Sequence, residues 1–167
     1  MATFYPSTID YSNRQVDIEL MQSIEKPNEL ERVTLSLTDS SPKIVTGIQK
    51  VAQRYALLFL STVNEVGFDS RQGTLLLSQI IGGRIQNSGQ LQVSFATANS
   101  RVLGQMRAAD TEEATYGSVP DDERIINARL LDFNIDFASS TVYLRVQLLT
   151  RAGTSITYVI PATAARS

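Results

Sequence analysis

Apolar and polar residues alternate in two short runs near the start of the chain: Val16, Ile18 and Leu20 against Asp17 and Glu19, then Val33, Leu35 and Leu37 against Thr34 and Ser36. A period of two marks a half-buried strand, and Lys26-Pro27-Asn28 between the runs is turn material, so the pattern predicts a β-hairpin. Met1 to Ile9 contains Pro6 and shows no clear period, which is expected of an extended arm or a disordered start. The period then lengthens. Asp39-Ser40-Ser41-Pro42 offers a serine N-cap followed by proline, and Ile44, Ile48, Val51, Tyr55, Leu58 and Thr62 recur at helical spacing. A long helix is expected, with Lys43, Gln49, Lys50, Gln53 and Arg54 on its wet side and Gly67 at or beyond its end. Gln72-Gly73-Thr74 opens a short, largely buried second helix over Leu75 to Ile81, closed by Gly82-Gly83. The stripe Leu91, Phe95, Ala98, Val102, Met106 and Ala109 predicts a third helix from about Ser88.

Asp110 to Asp122 is polar, holds Gly117 and Pro120, and reads as a loop. Beyond it the period returns to two. Leu131, Phe133, Ile135 and Phe137 oppose Asp132, Asn134 and Asp136; after Ser139-Ser140, Val142, Leu144, Val146 and Leu148 oppose Tyr143, Arg145 and Gln147. Arg151-Ala152-Gly153 then turns the chain into Ile156, Tyr158 and Ile160, so Ile125 to Pro161 should form a three-stranded antiparallel meander. Its apolar face needs cover, and the three helices upstream are the available cover. The expected fold class is α+β: an N-terminal β-hairpin arm over residues 1–40, then a domain over residues 41–167 with three helices packed on a C-terminal antiparallel β-meander. A two-stranded hairpin is marginal alone in water, and the expectation is that this one docks on a neighbouring molecule.

Composition narrows the chemistry. The chain has 167 residues, enough for one domain, and 43% hydrophobic residues supply one contiguous core. With 15 basic and 17 acidic residues the net charge is −2, which gives no electrostatic reason to expect nucleic acid or an anionic membrane as partner. The absence of both Cys and His excludes disulfides, thiolate and Ser-His chemistry, and imidazole-ligated metals. No cofactor is expected. No apolar run approaches the roughly 20 residues of a spanning helix, and the opening MATFYPSTIDYSNRQ lacks a basic and an apolar leader region, so a soluble, unsecreted product is the expectation.

Few groupings suggest a site. Asp121-Asp122-Glu123-Arg124 is the densest charge cluster; composition alone reads it as a solvated loop, but it can also clamp a neighbouring chain through Arg124, whose planar fork matches a carboxylate. Asp110, Glu112 and Glu113 resemble a glycosidase carboxylate pair only superficially, because adjacent residues in a loop have no reason for separated pKa values. Gly82-Gly83-Arg84 lacks the spacing of a phosphate loop and a preceding strand. The strand Tyr and Phe residues lack the interleaved Arg and Lys of a base-stacking platform. The final strand is more suggestive. Three strands leave edges open, and Thr154 to Ile160 contains neither proline nor charge to blunt one.

The order of these elements resembles the sheath-initiator proteins of contractile phage tails, a baseplate-wedge family also called lysozyme-like baseplate proteins. The stretches that carry the resemblance are GIQKVAQRYALLFLST, FDSRQGTLLLSQIIGG with its F-x-x-x-x-G-[ST]-x-L pattern, PDDERIINARLLDF and VYLRVQLLTRAGTSITYVIP, from about Lys43 to Ala162. The family's Glu-Pro-Arg tripeptide before the strands is replaced here by Asp122-Glu123-Arg124, with the proline displaced to Pro120, and residues 1–40 have no counterpart. The resemblance implies a non-enzymatic protein of the virion tail baseplate, assembled in the host cytoplasm in six copies. Its implied partners are the tail sheath protein, baseplate wedge proteins and tail tube or hub proteins, with no nucleic acid and no membrane. The implied mechanism is β-strand addition, in which arms of the first sheath ring add to the exposed edge of the C-terminal sheet. The expected partner-binding residues are Asp122, Glu123 and Arg124 at the acidic turn and Thr154, Ile156, Thr157, Tyr158 and Ile160 along the last strand. A peptidoglycan-degrading baseplate lysozyme, or another tail component such as a terminator or connector, is the alternative.

Overall fold

The computed structural model describes residues 17–18, 20–24, 32–35, 44–63, 72–136 and 141–163. The chain order is β1 (Asp17–Ile18), β2 (Met21–Ile24), β3 (Arg32–Leu35), β4 (Ile44–Val45), α1 (Gly47–Leu60), α2 (Leu76–Ile81), α3 (Ser88–Glu113), a short 3-10 turn (Asp121–Glu123), β5 (Ile125–Asp136), β6 (Thr141–Thr150) and β7 (Ser155–Thr163). This is the α+β arrangement that the periodicities predict. The expected arm over Met1 to Ile9, the turns at Lys26-Pro27-Asn28 and Ser139-Ser140, Gly67 and Phe137 lie outside the described residues.

The meander forms as expected, β5 pairing with β6 and β6 with β7, all antiparallel. Val142, Leu144, Val146 and Leu148 of β6 and Tyr158 and Ile160 of β7 are buried. They pack with Tyr55 and Phe59 of α1, Leu76 of α2, and Leu91, Phe95, Val102 and Met106 of α3 in one core. The ring of Phe59 stacks on Tyr55 at 5.5 Å between centroids and meets Phe95 at 5.3 Å. Strand β5 departs from simple alternation. Register shifts between Ile125 and Asn127 and between Leu130 and Asp132 reverse its phase twice. Ile125 and Ala128 therefore point inward with Phe133 and Ile135, while Leu131, expected on that face, is exposed.

The first helix starts later than its cap signal predicts. Ile44 and Val45 are extended because they pair with Ile18 and Asp17, so a tertiary pairing overrides the local preference of Ser41-Pro42. The chain enters α1 at Gly47 with φ +61°, where a Cβ would lie 2.9 Å from Asp122 Oδ2. Thr46, the residue before the helix, makes no side-chain cap bond, and the first turn of α1 holds no acidic residue. Helix α3 has its own cap: Asn87 accepts from the N–H of Gln90, and the Gln90 side chain accepts from the N–H of Gln86. It runs on to Glu113, shortening the loop expected from Asp110.

The Gly73-Thr74-Leu75-Leu76 stretch is explained by backbone approach. Gly73 has φ +92°, and a Cβ there would sit 2.5 Å from the carbonyl oxygen of Ser61. Thr74 is fully buried, its hydroxyl donating to Phe59 O and accepting from the N–H of Leu76, which stitches the end of α1 to the start of α2. Gly82 ends α2 as predicted.

The hairpin is the main surprise. Strands β2 and β3 pair antiparallel from Met21↔Leu35 to Ile24↔Arg32, and β3 continues the sheet of the meander, giving the order β2-β3-β7-β6-β5. The contact is parallel, through Arg32↔Val159. The hairpin thus docks on this chain's own sheet, where a neighbouring molecule was expected, because β7 offers, from Ser155 to Ile160, backbone donors and acceptors with no proline or charge among them.

Candidate functional site

The residues expected to bind partners fall into two groups that meet at one end of the sheet. The 3-10 turn Asp121–Glu123 lies beside the β6–β7 turn: the N–H of Arg151 donates to Arg124 O at 2.8 Å and that of Ala152 to Asp121 O at 3.0 Å. Thr154 closes that turn, its carbonyl accepting from the N–H of Thr150 at 3.0 Å. From there Ile156, Thr157, Tyr158 and Ile160 run along β7, away from the acidic turn.

Within the acidic turn the roles divide. Glu123 is turned into the protein: its side chain is only 3% exposed, Oε2 accepts from Lys50 Nζ at 2.9 Å, and Oε1 accepts from the N–H of Gly47 at 3.1 Å. It is the missing N-cap of α1, supplied from 76 residues away. A carboxylate at a helix N-terminus also answers the partial positive charge there. Asp122 is half-buried beside Gly47, and Asp121 is exposed, with Arg151 Nε 3.6 Å away. Arg124 is half-buried; its Nε is buried with no hydrogen-bond partner among the described residues, and its charge reaches Asp110.

Behind this turn α1 and α3 enclose a cavity of about 10 Å³, room for a single water, lined by Lys50, Arg54, Asp110, Glu113 and Glu123 among others. Arg54 spans the gap to α3, 3.0 Å from Glu113 and 3.8 Å from Asp110. Burial pushes the Asp110 carboxyl above its ordinary value, with Glu113 adding to the rise and Arg54, Arg124 and Lys50 opposing it. Among the described residues no group of three or more acidic side chains is placed to hold a metal ion.

Along β7 the side chains and the backbone face different ways. Tyr158 and Ile160 are buried against the helices, Tyr158 with its hydroxyl toward Ala52 O, and Ile156 packs partly on the same core. Burial raises the Tyr158 phenol well above its ordinary range, with Tyr55 adding to it. These side chains hold the strand in place, and the backbone edge is what faces outward toward β3. Only near Arg32↔Val159 is that edge paired by a described strand. The other flank of the meander, β5, is treated differently. Besides its two bulges, its Ala128 carbonyl accepts from Asn99 Nδ2 at 2.9 Å and its Ile126 carbonyl from Arg107 Nη2 at 2.6 Å, both from α3.

One residue that sequence reading assigned to the wet side of α1 is central to the N-terminal region. Gln53 is 1% exposed and uses both ends of its amide: Oε1 accepts from the N–H of Leu20 at 2.7 Å, and Nε2 donates to Ile18 O at 2.8 Å and Asp17 Oδ2 at 3.1 Å. It rivets residues 17–20 to α1 immediately before β2. Periodicity carries no signal for this, since a glutamine beside the apolar stripe reads the same whether it meets water or backbone.

No family model, curated protein or solved structure matches the chain.

Proposed function

We propose that this chain is a structural, non-enzymatic component of a contractile phage tail baseplate, and that its C-terminal sheet starts sheath assembly by strand addition along β7. The observation that carries the reading is the contrast between the two long strands at the flanks of the meander. Strand β5 is bulged and has two carbonyls taken by helix side chains, devices that discourage further pairing. Strand β7 carries neither, and it already pairs with a strand from a distant part of the chain. Backbone pairing of this kind tolerates sequence variation in the incoming arm and survives rigid-body movement of the bodies it joins, as contraction requires. The acidic turn and the helical layer supply the rigid support, with wedge, tube or hub proteins on the remaining faces. The carboxylates beside Lys50 and Arg54 are braces in this reading.

Tails assembled without this protein are expected to carry uncovered tubes attached to baseplates, and adding it back should restore sheath growth from the baseplate end, as seen by negative-stain imaging. Loss of turbidity when the purified protein meets cell walls, or normal sheaths in its absence, would overturn the proposal.

A further inference from the structure

The hairpin sits on the edge that the proposed function needs free. Resting on that reading, we propose that β3 is a placeholder: the β2–β3 hairpin shields the β7 edge in the unassembled chain and is displaced by an arm of a sheath subunit that takes the same slot, parallel to β7.

Three observations carry this. First, the pairing is lopsided. Strand β7 is tied to β6 along its whole length, from Leu149↔Ser155 to Thr141↔Thr163, whereas among the described residues β3 joins β7 at a single register pair. That pair is also parallel, the slightly less stable ladder per residue, and a hairpin that loses it has no comparable partner among the described elements. Second, the root of the hairpin is secured separately. Gln53 holds Ile18 and Leu20, and β1 pairs with β4 through Asp17↔Val45 and Ile18↔Ile44, none of which involves β7. The hairpin can therefore leave by movement after Leu20 without unfolding what precedes it. Third, β7 stays ordered by itself, because Tyr158, Ile160 and Ala162 are buried and β6 supports its other edge. The slot thus specifies its occupant: an extended segment whose backbone runs parallel to β7. A sheath arm outcompetes the resident by pairing before Val159 as well, along Ser155 to Tyr158, the part of β7 that no described strand flanks on that side.

The chain has no cysteine, so a disulfide can be placed without competition. Arg32→Cys combined with Val159→Cys puts thiols on paired residues of adjacent strands, whose Cα spacing of about 5 Å is within disulfide reach. The probe is a fluorescent synthetic peptide of this chain's own residues 30–38, titrated into the full-length double variant by anisotropy. Saturable binding to the reduced protein, at least tenfold weaker binding to the oxidised protein and recovery with reductant support exchange. Equal binding in both states, or none to the reduced protein, overturns it. A swapped dimer with the disulfide between chains overturns the sheath arm as occupant in favour of a second copy. Oxidised protein should also fail to start sheath growth where reduced protein succeeds; equal sheath growth from both overturns the placeholder role. If the unmodified chain starts no sheath while lock-sensitive peptide exchange persists, it is the proposed function that fails.

Discussion

Glu123 offers the sharpest test of how the acidic turn works, because the family resemblance implies an intermolecular contact there while both its oxygens are used inside the chain. Removing its carboxylate takes from Lys50, whose side chain is only 13% exposed, its partner at 2.9 Å, and strips the cap from Gly47 N–H. Breaking a buried pair by deleting one partner costs about 3–5 kcal/mol. The flexible lysine stem can carry its charge outward and recover part of this, while losing the carboxylate at the helix N-terminus costs about 0.3–1 kcal/mol more. We expect Glu123→Ala to cost about 3 kcal/mol. Glu123→Gln, which keeps the acceptor for Gly47 but not the charge, should cost about 2 kcal/mol. In a chain of this length each kcal/mol moves the melting midpoint by about 2–4 °C, so the alanine variant should melt about 6–12 °C lower. Urea unfolding at neutral pH, with Lys50→Met and the double variant completing a cycle, measures the pair directly; a coupling of about 1–3 kcal/mol is expected. A Glu123→Gln protein within about 0.5 kcal/mol of the parent, yet poorly incorporated into tails, would refute the internal role and restore the intermolecular one.

Gln53→Met keeps the volume but breaks three hydrogen bonds, so stability should fall by about 2–3 kcal/mol and amide exchange at Leu20 should accelerate; unchanged protection at Leu20 would show the rivet is dispensable. Gly73→Ala combines a left-handed φ with a Cβ driven onto a backbone carbonyl, and should lower stability by about 2–4 kcal/mol in thermal unfolding, whereas Gly104→Ala, with open space around its Cβ, should be neutral or stabilising. Because burial raises the Asp110 pKa, the folded state binds that proton more tightly than the unfolded chain does. Its contribution to stability therefore grows as pH falls through the raised value and is complete below the ordinary 3.8; Asp110→Asn should remove this increment from the pH–stability curve, and an unaltered curve would contradict it.

The strongest periodicities translated directly into structure. The stripe from Leu91 to Met106, the glycine stop at Gly82, and the alternation in β6 each follow from one local rule, apolar residues on one face and a known terminator, and each is found where that rule puts it. The misreadings share a different origin. Ile44 and Val45 left the helix because β1 pairs with them, Leu131 left the core face because bulges reversed the phase of β5, and Gln53 left solvent because the backbone of residues 18–20 came to it. In each case a partner distant in sequence decided the outcome.

The candidate site divides along the same line. Sequence by itself showed that Thr154 to Ile160 lacks the proline and charge that blunt a strand, a local property, although the folded sheet places β7 between β3 and β6. It also determined the α+β class, through the switch of period from 3.6 to 2 after the third helix. Only the tertiary structure decided that β3 pairs with that edge, that Glu123 caps α1 instead of facing a neighbour, and that Tyr158 and Ile160 serve the core. The physical reason is that periodicity records which face of an element avoids water, whereas backbone pairing and charge compensation depend on what the folded chain brings within about 3 Å, and hydrogen bonds at that range leave no periodic trace in the sequence.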